Sequence, residues 1–244
     1  MIIPRCGVFF LIGCALLLSS SPSARGVDYF PLEKGNYWIY RGETKFLVNS
    51  PATKTNEAKS VVLTWKMEVV ATASRDRLFA ALIKGAPFDL SWYEPGKTRG
   101  TYLIVRAGIA AYYLFSGDSA REAWTQIKGN APSLGKLGLG RGLLIDAPLV
   151  EGKVFGGELM NQARGRYCWV VEGERAFRPK RFPSPEKLVN PRAFTLSFRT
   201  SPDHQTLDFV PGLGIVGFQF KHHGTLSETD LSLISFSRSS RPGR

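Results

Sequence analysis

The run from Val61 to Thr72 restricts the fold of this chain more than any other stretch. Val61, Leu63, Trp65, Met67, Val69 and Ala71 alternate with Val62, Thr64, Lys66, Glu68, Val70 and Thr72. Successive side chains of a strand point to opposite faces, so this pattern buries one face and wets the other. A helix would bring Lys66 and Glu68 round beside Trp65 and Val69. One-sided strands belong to antiparallel sheets, because parallel sheets are covered on both faces. The alternation returns in Ala193 to Thr200, where Phe194, Leu196 and Phe198 oppose Thr195, Ser197 and Arg199.

The remaining segments follow the same logic. Arg77 to Lys84 reads as a strand cut off by Gly85 and Pro87, and Phe88 to Glu94 as the next, closed by the turn EPGK. Tyr102 to Arg106 and Ala110 to Phe115 form a tight hairpin. Gly117 to Ile127 reads as one short helix, with Asp118 as its cap. Leu143 to Val150 and Arg166 to Glu172 read as strands, and His204 to Phe236 as a closing meander. Lys45 to Lys59 reads as a polar loop, and Pro179 to Arg192, with four prolines, as irregular. About ten strands, one short helix and no strand–helix–strand alternation predict an all-β fold. The expected form is a strongly curved antiparallel sheet or open barrel of the lipoprotein-carrier type. A closed calycin-like barrel is the alternative, and either leaves an apolar concavity.

The 244 residues fit one domain, and a 43% hydrophobic share suffices for a core. Residues 1–26 read as a signal peptide: a basic start ending at Arg5, an apolar run from Val8 to Leu18, then SSSPSARG. The apolar run is too short for a permanent bilayer span. Ala24-Arg25-Gly26 places small residues at both cleavage positions and predicts a soluble protein, periplasmic or extracellular, from Val27 onward. Leu11-Ile12-Gly13-Cys14 instead resembles a bacterial lipobox, which implies a lipid anchor on Cys14. Residues 27–236 read as a single β-rich domain and 237–244 as a basic flexible tail. Cleavage after Gly26 leaves Cys168 as the sole cysteine, which can form no internal disulfide and reads as a small buried hydrophobe.

The formal charge is +12; Arg5 and Arg25 are the only charged residues of the signal, so the rest carries +10. A basic envelope protein can sit near anionic lipid headgroups. The basic residues form no nucleic-acid motif, and export argues against a nucleic-acid partner.

Tyr29-Phe30-Pro31-Leu32, followed by Gly35, Trp38 and Tyr40, matches the pattern YFPL-x-x-G-x-x-W-x-Y. With it go a second Pro-Leu-x-x-Gly element in Pro148 to Phe155 and the run PGLGIVGF. This opening resembles that of poorly characterised exported bacterial envelope proteins. The resemblance implies an envelope β-protein and no particular activity.

Three groups of residues are candidates for chemistry. His204, His222 and His223 are all the histidines in the chain. If Val210 faces Ile215 across the PGLG turn, Asp203 lies opposite His222 and His204 opposite Lys221. His222 then shares a face with Phe218 and Phe220, while His223 points away. His204, His222 and His223 with Glu228 are weak metal candidates, because zinc needs three or four converging ligands. The expectation is a structural corner, with His222 bonded to a carboxylate or backbone and His223 in solvent. Asp203 and His204 with Ser201 or Ser227 lack the order and spacing of a serine hydrolase. Gly138 to Gly142 lacks the Lys-Ser/Thr of a phosphate loop. Trp38, Trp65, Trp92 and Trp169 are candidates to line a ligand cavity. No cofactor is expected. The reading is a non-enzymatic exported protein sheltering an apolar small molecule or a segment of an envelope protein. The alternative is a surface or assembly protein.

Overall fold

A computed structural model of the chain describes residues 29–50, 55–129, 142–178, 188 and 190–239. Twelve strands form: β1 (Tyr37–Ser50), β2 (Thr55–Arg75), β3 (Leu78–Lys84), β4 (Thr101–Ala107), β5 (Ala111–Ser116), β6 (Leu143–Asp146), β7 (Val154–Phe155), β8 (Trp169–Ala176), β9 (Arg192–Arg199), β10 (Asp203–Val210), β11 (Gly214–His222) and β12 (Ser227–Ser237). Two helices, α1 (Gly117–Lys128) and α2 (Leu159–Ala163), interrupt them. The strands make one sheet in the order β6-β5-β4-β3-β2-β1-β12-β11-β10-β9-β8-β7, and every pairing among the described residues is antiparallel.

The sheet is a nearly closed barrel. Its edges, β6 and β7, are not paired with each other, yet they come close: a side chain on Gly156 would meet the Leu143 carbonyl at 3.4 Å. Lys153 lies in the strap between them. Its Nζ donates to the backbone oxygens of Asp146 and Pro148 and pairs with Asp146 Oδ2 at 2.9 Å. The open-barrel expectation therefore holds over the closed calycin-like one.

The interior follows the alternation of the strands. Trp65, Met67 and Val69 are buried on β2, and Trp38 and Tyr40 on β1. Both β1 rings satisfy their polar ends on the facing strand and its turn. Trp38 Nε1–H donates to Leu213 O at 2.7 Å, and the Tyr40 hydroxyl to Ile215 O at 2.9 Å. Phe30 enters one end of the barrel and meets Trp38 and Phe209 edge-on, at 5.7 and 5.5 Å. Burying a side chain of this size contributes roughly 1.5–3 kcal/mol. Outside the barrel, Ala120, Ala123 and Ile127 of α1 pack on Ala80, Leu103, Val105 and Phe115 in a separate small core.

Four expectations need correction. Most of Lys45 to Lys59 is strand, because β1 and β2 run on as a long hairpin whose outer part is solvated on both faces. Phe88 to Glu94 is not a strand; Pro87–Leu90 is a 3-10 turn folded into the barrel. Asp118 does not cap α1: Ser116 holds that position, and Asp118 sits in the first turn. Leu143 to Val150 stops being strand at Asp146. Residues 1–26, Gly138 to Arg141 and most of Pro179 to Arg192 lie outside the described residues. Of the stretch read as tail, Ser237 ends β12 and Ser239 N–H donates to Asn36 Oδ1 at 2.8 Å.

Candidate functional site

The connection between β3 and β4, residues 85–100, builds one wall of a cavity. It is pinned inside the barrel by its backbone. Thr229 Oγ1 donates to Leu90 O at 2.5 Å, and Ser227 Oγ to Ser91 O at 2.8 Å. Phe88 meets Phe218 edge-on at 5.5 Å. This fixes Trp92 beside Phe220 and His222, with ring centroids 5.7 and 4.6 Å away. Facing it are Tyr102 of β4, Leu114 of β5, Leu143 and Leu144 of β6, Trp169 of β8 and Phe198 of β9. The cavity has a volume of about 900 Å³ and is open to solvent. That is large enough for a sizeable organic ligand.

A few polar groups interrupt the aromatic walls. Asp203 and His222 are paired across β10 and β11, and Nδ1–H of His222 donates to Asp203 Oδ1 at 2.8 Å. A carboxylate can only accept, so this bond fixes the protonated nitrogen. Behind Tyr102, the buried Asp89 accepts from the Tyr102 hydroxyl and from Gly100 N–H, both at 2.9 Å. Burial raises Asp89 above the ordinary carboxylate value, and those two bonds oppose the rise. Burial, then the neighbouring Asp89 charge, raises the Tyr102 hydroxyl far enough to keep it neutral.

The tryptophan candidates divide. Trp92 and Trp169 line the cavity. Trp38 and Trp65 do not; both are core rings with bonded indole nitrogens, that of Trp65 donating to Gly85 O at 3.0 Å. The histidines separate as well. His222 faces inward; His204 lies on the outer face, where Arg199 Nε–H donates to its Nε2 at 3.4 Å. His204 and Glu228 share an outer hollow of about 330 Å³ with Lys45 and Lys221. Desolvation, then the nearby Arg199 charge, lowers the His204 imidazole. His223 is exposed and its backbone N–H donates to Pro202 O at 2.7 Å. Among the described residues no three metal-ligating groups converge.

Asp203 and His222 have the carboxylate–imidazole contact of a hydrolase, but Ser201 and Ser227 are both engaged elsewhere. Ser227 bonds Ser91, and Ser201 bonds the Tyr167 hydroxyl at 3.4 Å. Cys168 is buried and desolvation raises its thiol, which makes it a poor nucleophile.

Sequence reasoning did not single out Phe88, Tyr102, Leu143 or Asp89 for the site. Phe198 and Phe220 carried a usable signal, because alternation assigns both to the inner face. No local pattern marks Leu143, which reaches the cavity through the near-closure of the sheet.

No protein-family model and no curated protein matches the sequence. Two crystal structures of bacterial proteins are similar in layout. One is a candidate lipoprotein of Parabacteroides distasonis, 10% identical, with a TM-score of 0.36 over 86% of this chain and 99% of its own. The other is a candidate exported protein of Bacteroides fragilis with a YmcC-like fold, 10% identical, with a TM-score of 0.38 over 87% of this chain and 100% of its own. Similarity at this level transfers no residue role and no activity. The class defined here is therefore the one drawn from the chain itself: an all-β, nearly closed antiparallel barrel with an aromatic cavity near its mouth.

Proposed function

We propose that this chain is an exported, non-enzymatic envelope protein whose barrel shelters an apolar small molecule or a segment of an envelope protein. One observation carries the reading: the roughly 900 Å³ cavity is walled by Phe88, Trp92, Trp169, Phe198 and Phe220. Binding there is passive, with affinity from apolar burial. The signal-like residues 1–26 support export. The test exposes the purified mature protein to an envelope lipid extract and weighs the complex by native mass spectrometry. A retained, stoichiometric hydrophobic ligand is expected. Removing two rings with Trp92→Ala and Trp169→Ala weakens retention about tenfold or more, since each aromatic ring packed against the ligand contributes on the order of 1 kcal/mol beyond its area. Protein that stays empty overturns the reading.

A second reading, docking on an anionic membrane surface, is favoured by the rim. Leu159 and Met160 are 82% and 68% exposed there, beside the exposed Arg164 and Arg166. Co-sedimentation with vesicles containing phosphatidylglycerol, and none with pure phosphatidylcholine, would support it.

A further inference from the structure

The charges that face the cavity run against the rest of the chain. Lysines and arginines number 32 against 20 acids. Yet the described lining holds two carboxylates, Glu158 and Asp203, and neither lysine nor arginine. Neither of them meets a lysine or arginine among the described residues. His222 fixes Asp203 through Oδ1, while Oδ2 has no hydrogen bond among the described residues. The Glu158 carboxylate has no ion pair among them either. The outward acids differ: Glu172, Asp208 and Glu228 each pair with an arginine or lysine. Tyr167, itself in the lining, links the segments that carry the two carboxylates. Gly157, next to Glu158, packs on the Tyr167 carbonyl, and the Tyr167 hydroxyl bonds Ser201, two residues before Asp203.

The aromatic lining adds a second preference of the same sign. Trp92, Tyr167, Trp169, Phe198 and Phe220 all line this volume. The faces of such rings attract cations, and the attraction grows where water is thinned. A ring-walled cavity whose lining carries two carboxylates and no lysine or arginine suits a cationic head on an apolar body.

Resting on the cavity reading above, we infer that the ligand is an amphiphile with a cationic head, an amine or quaternary ammonium, seated between Asp203 and Glu158. Its tail lies against Phe198, Trp169 and Leu143. The overall positive charge of the protein repels such a molecule, so preference for it must arise locally.

The test compares dodecyltrimethylammonium with dodecyl maltoside, which carries the same tail under a neutral head. Both are titrated into the mature protein below their micelle concentrations, and tryptophan fluorescence is followed. The cationic probe is expected to bind about tenfold tighter, on the order of one cation–π contact together with one partly screened carboxylate. The readout is the ratio of the two affinities, which falls towards one in Asp203→Asn with Glu158→Gln. Glu158→Gln alone, at an exposed position, gives an intermediate ratio and keeps the test valid should Asp203→Asn disturb the His222 corner. A ratio near one in the unsubstituted protein, with the neutral probe bound, overturns this inference and leaves the apolar-cavity reading standing. Failure of both probes to bind overturns both.

Discussion

Gly214 and Phe30 meet where the first of the described segments crosses the start of β11. Gly214 has φ +92°, and a Cβ there would lie 2.5 Å from the Phe30 ring. Gly214→Ala therefore meets both backbone strain and a clash, for a loss of about 2–4 kcal/mol in denaturant unfolding. Its m-value should stay unchanged, because the surface exposed on unfolding does not alter. Asp89 answers to pH instead. Its folded value is raised above 3.8, so the native state takes the proton first as the solution is acidified. Stability from this group is lost as pH rises through the folded value, and regained as pH falls towards 3.8. Thermal unfolding of the parent and of Asp89→Asn across that window should show the parent gaining on the variant as pH falls. A constant gap would show that Asp89 has no raised value. The acidic side of His204 runs the other way: its lowered value makes protonation below its unfolded value of 6.5 destabilising.

The β3–β4 connection shows how an element can be misread and still be informative. Residues 88–94 alternate well enough for a strand, and Gly85 with Pro87 reads equally as a strand end or an entry to a turn. What decides is tertiary: Thr229 and Ser227 offer hydroxyls to the Leu90 and Ser91 carbonyls from a strand more than a hundred residues away. Removing these donors with Thr229→Val and Ser227→Ala leaves two carbonyls without partners inside the barrel. Amides of 86–100 should then exchange with solvent faster by tenfold or more, at about 1–3 kcal/mol per buried carbonyl left unmatched. The strands around them should keep their protection; uniform loss would mean that the segment is part of the core sheet's cooperative unit. By contrast, β2 was readable because one face is buried along its inner half. The outer hairpin of β1 and β2 was not, because a strand wet on both faces has no period to display. The register of β10 and β11 came out as the sequence predicts at Asp203 and His222. The bulge at Asp208/Phe209 shifts the far end, so that Val210 faces Gly214 in place of Ile215. An apolar concavity was expected, but which tryptophans line it could not be read in advance. Trp38, Trp65, Trp92 and Trp169 look alike in sequence, and their different fates depend on how far along the barrel each one lies.

Taken as a whole, the barrel is two six-stranded meanders, β1 to β6 and β7 to β12, joined where the first strand pairs with the last. Tyr37 lies opposite Ser237, and Asn36 bonds Ser239 across 203 positions of chain. Every other neighbour in the sheet is also a neighbour in sequence. The outer face is laced with ion pairs such as Arg175–Asp208 and Arg199–Glu172, at 2.6 and 2.9 Å. Such exposed pairs contribute little to stability, so the interior rings and the β1–β12 junction hold the fold together. That junction is also the one pairing that requires the two ends of the chain to find each other. A rearranged chain, linked from Ser239 to Tyr29 and opened within 147–153, would write the same sheet in strict sequence order, β7 to β12 and then β1 to β6. Its strand pairings would all be between sequence neighbours, and proteins rich in local contacts fold faster at equal stability. Stopped-flow refolding should show the permuted chain overtaking the natural one, while equilibrium unfolding stays close to it. Equal refolding rates would mean that the meeting of the ends is not the slow step. In the natural order, the sheet must wait for its last strand before its two halves become one.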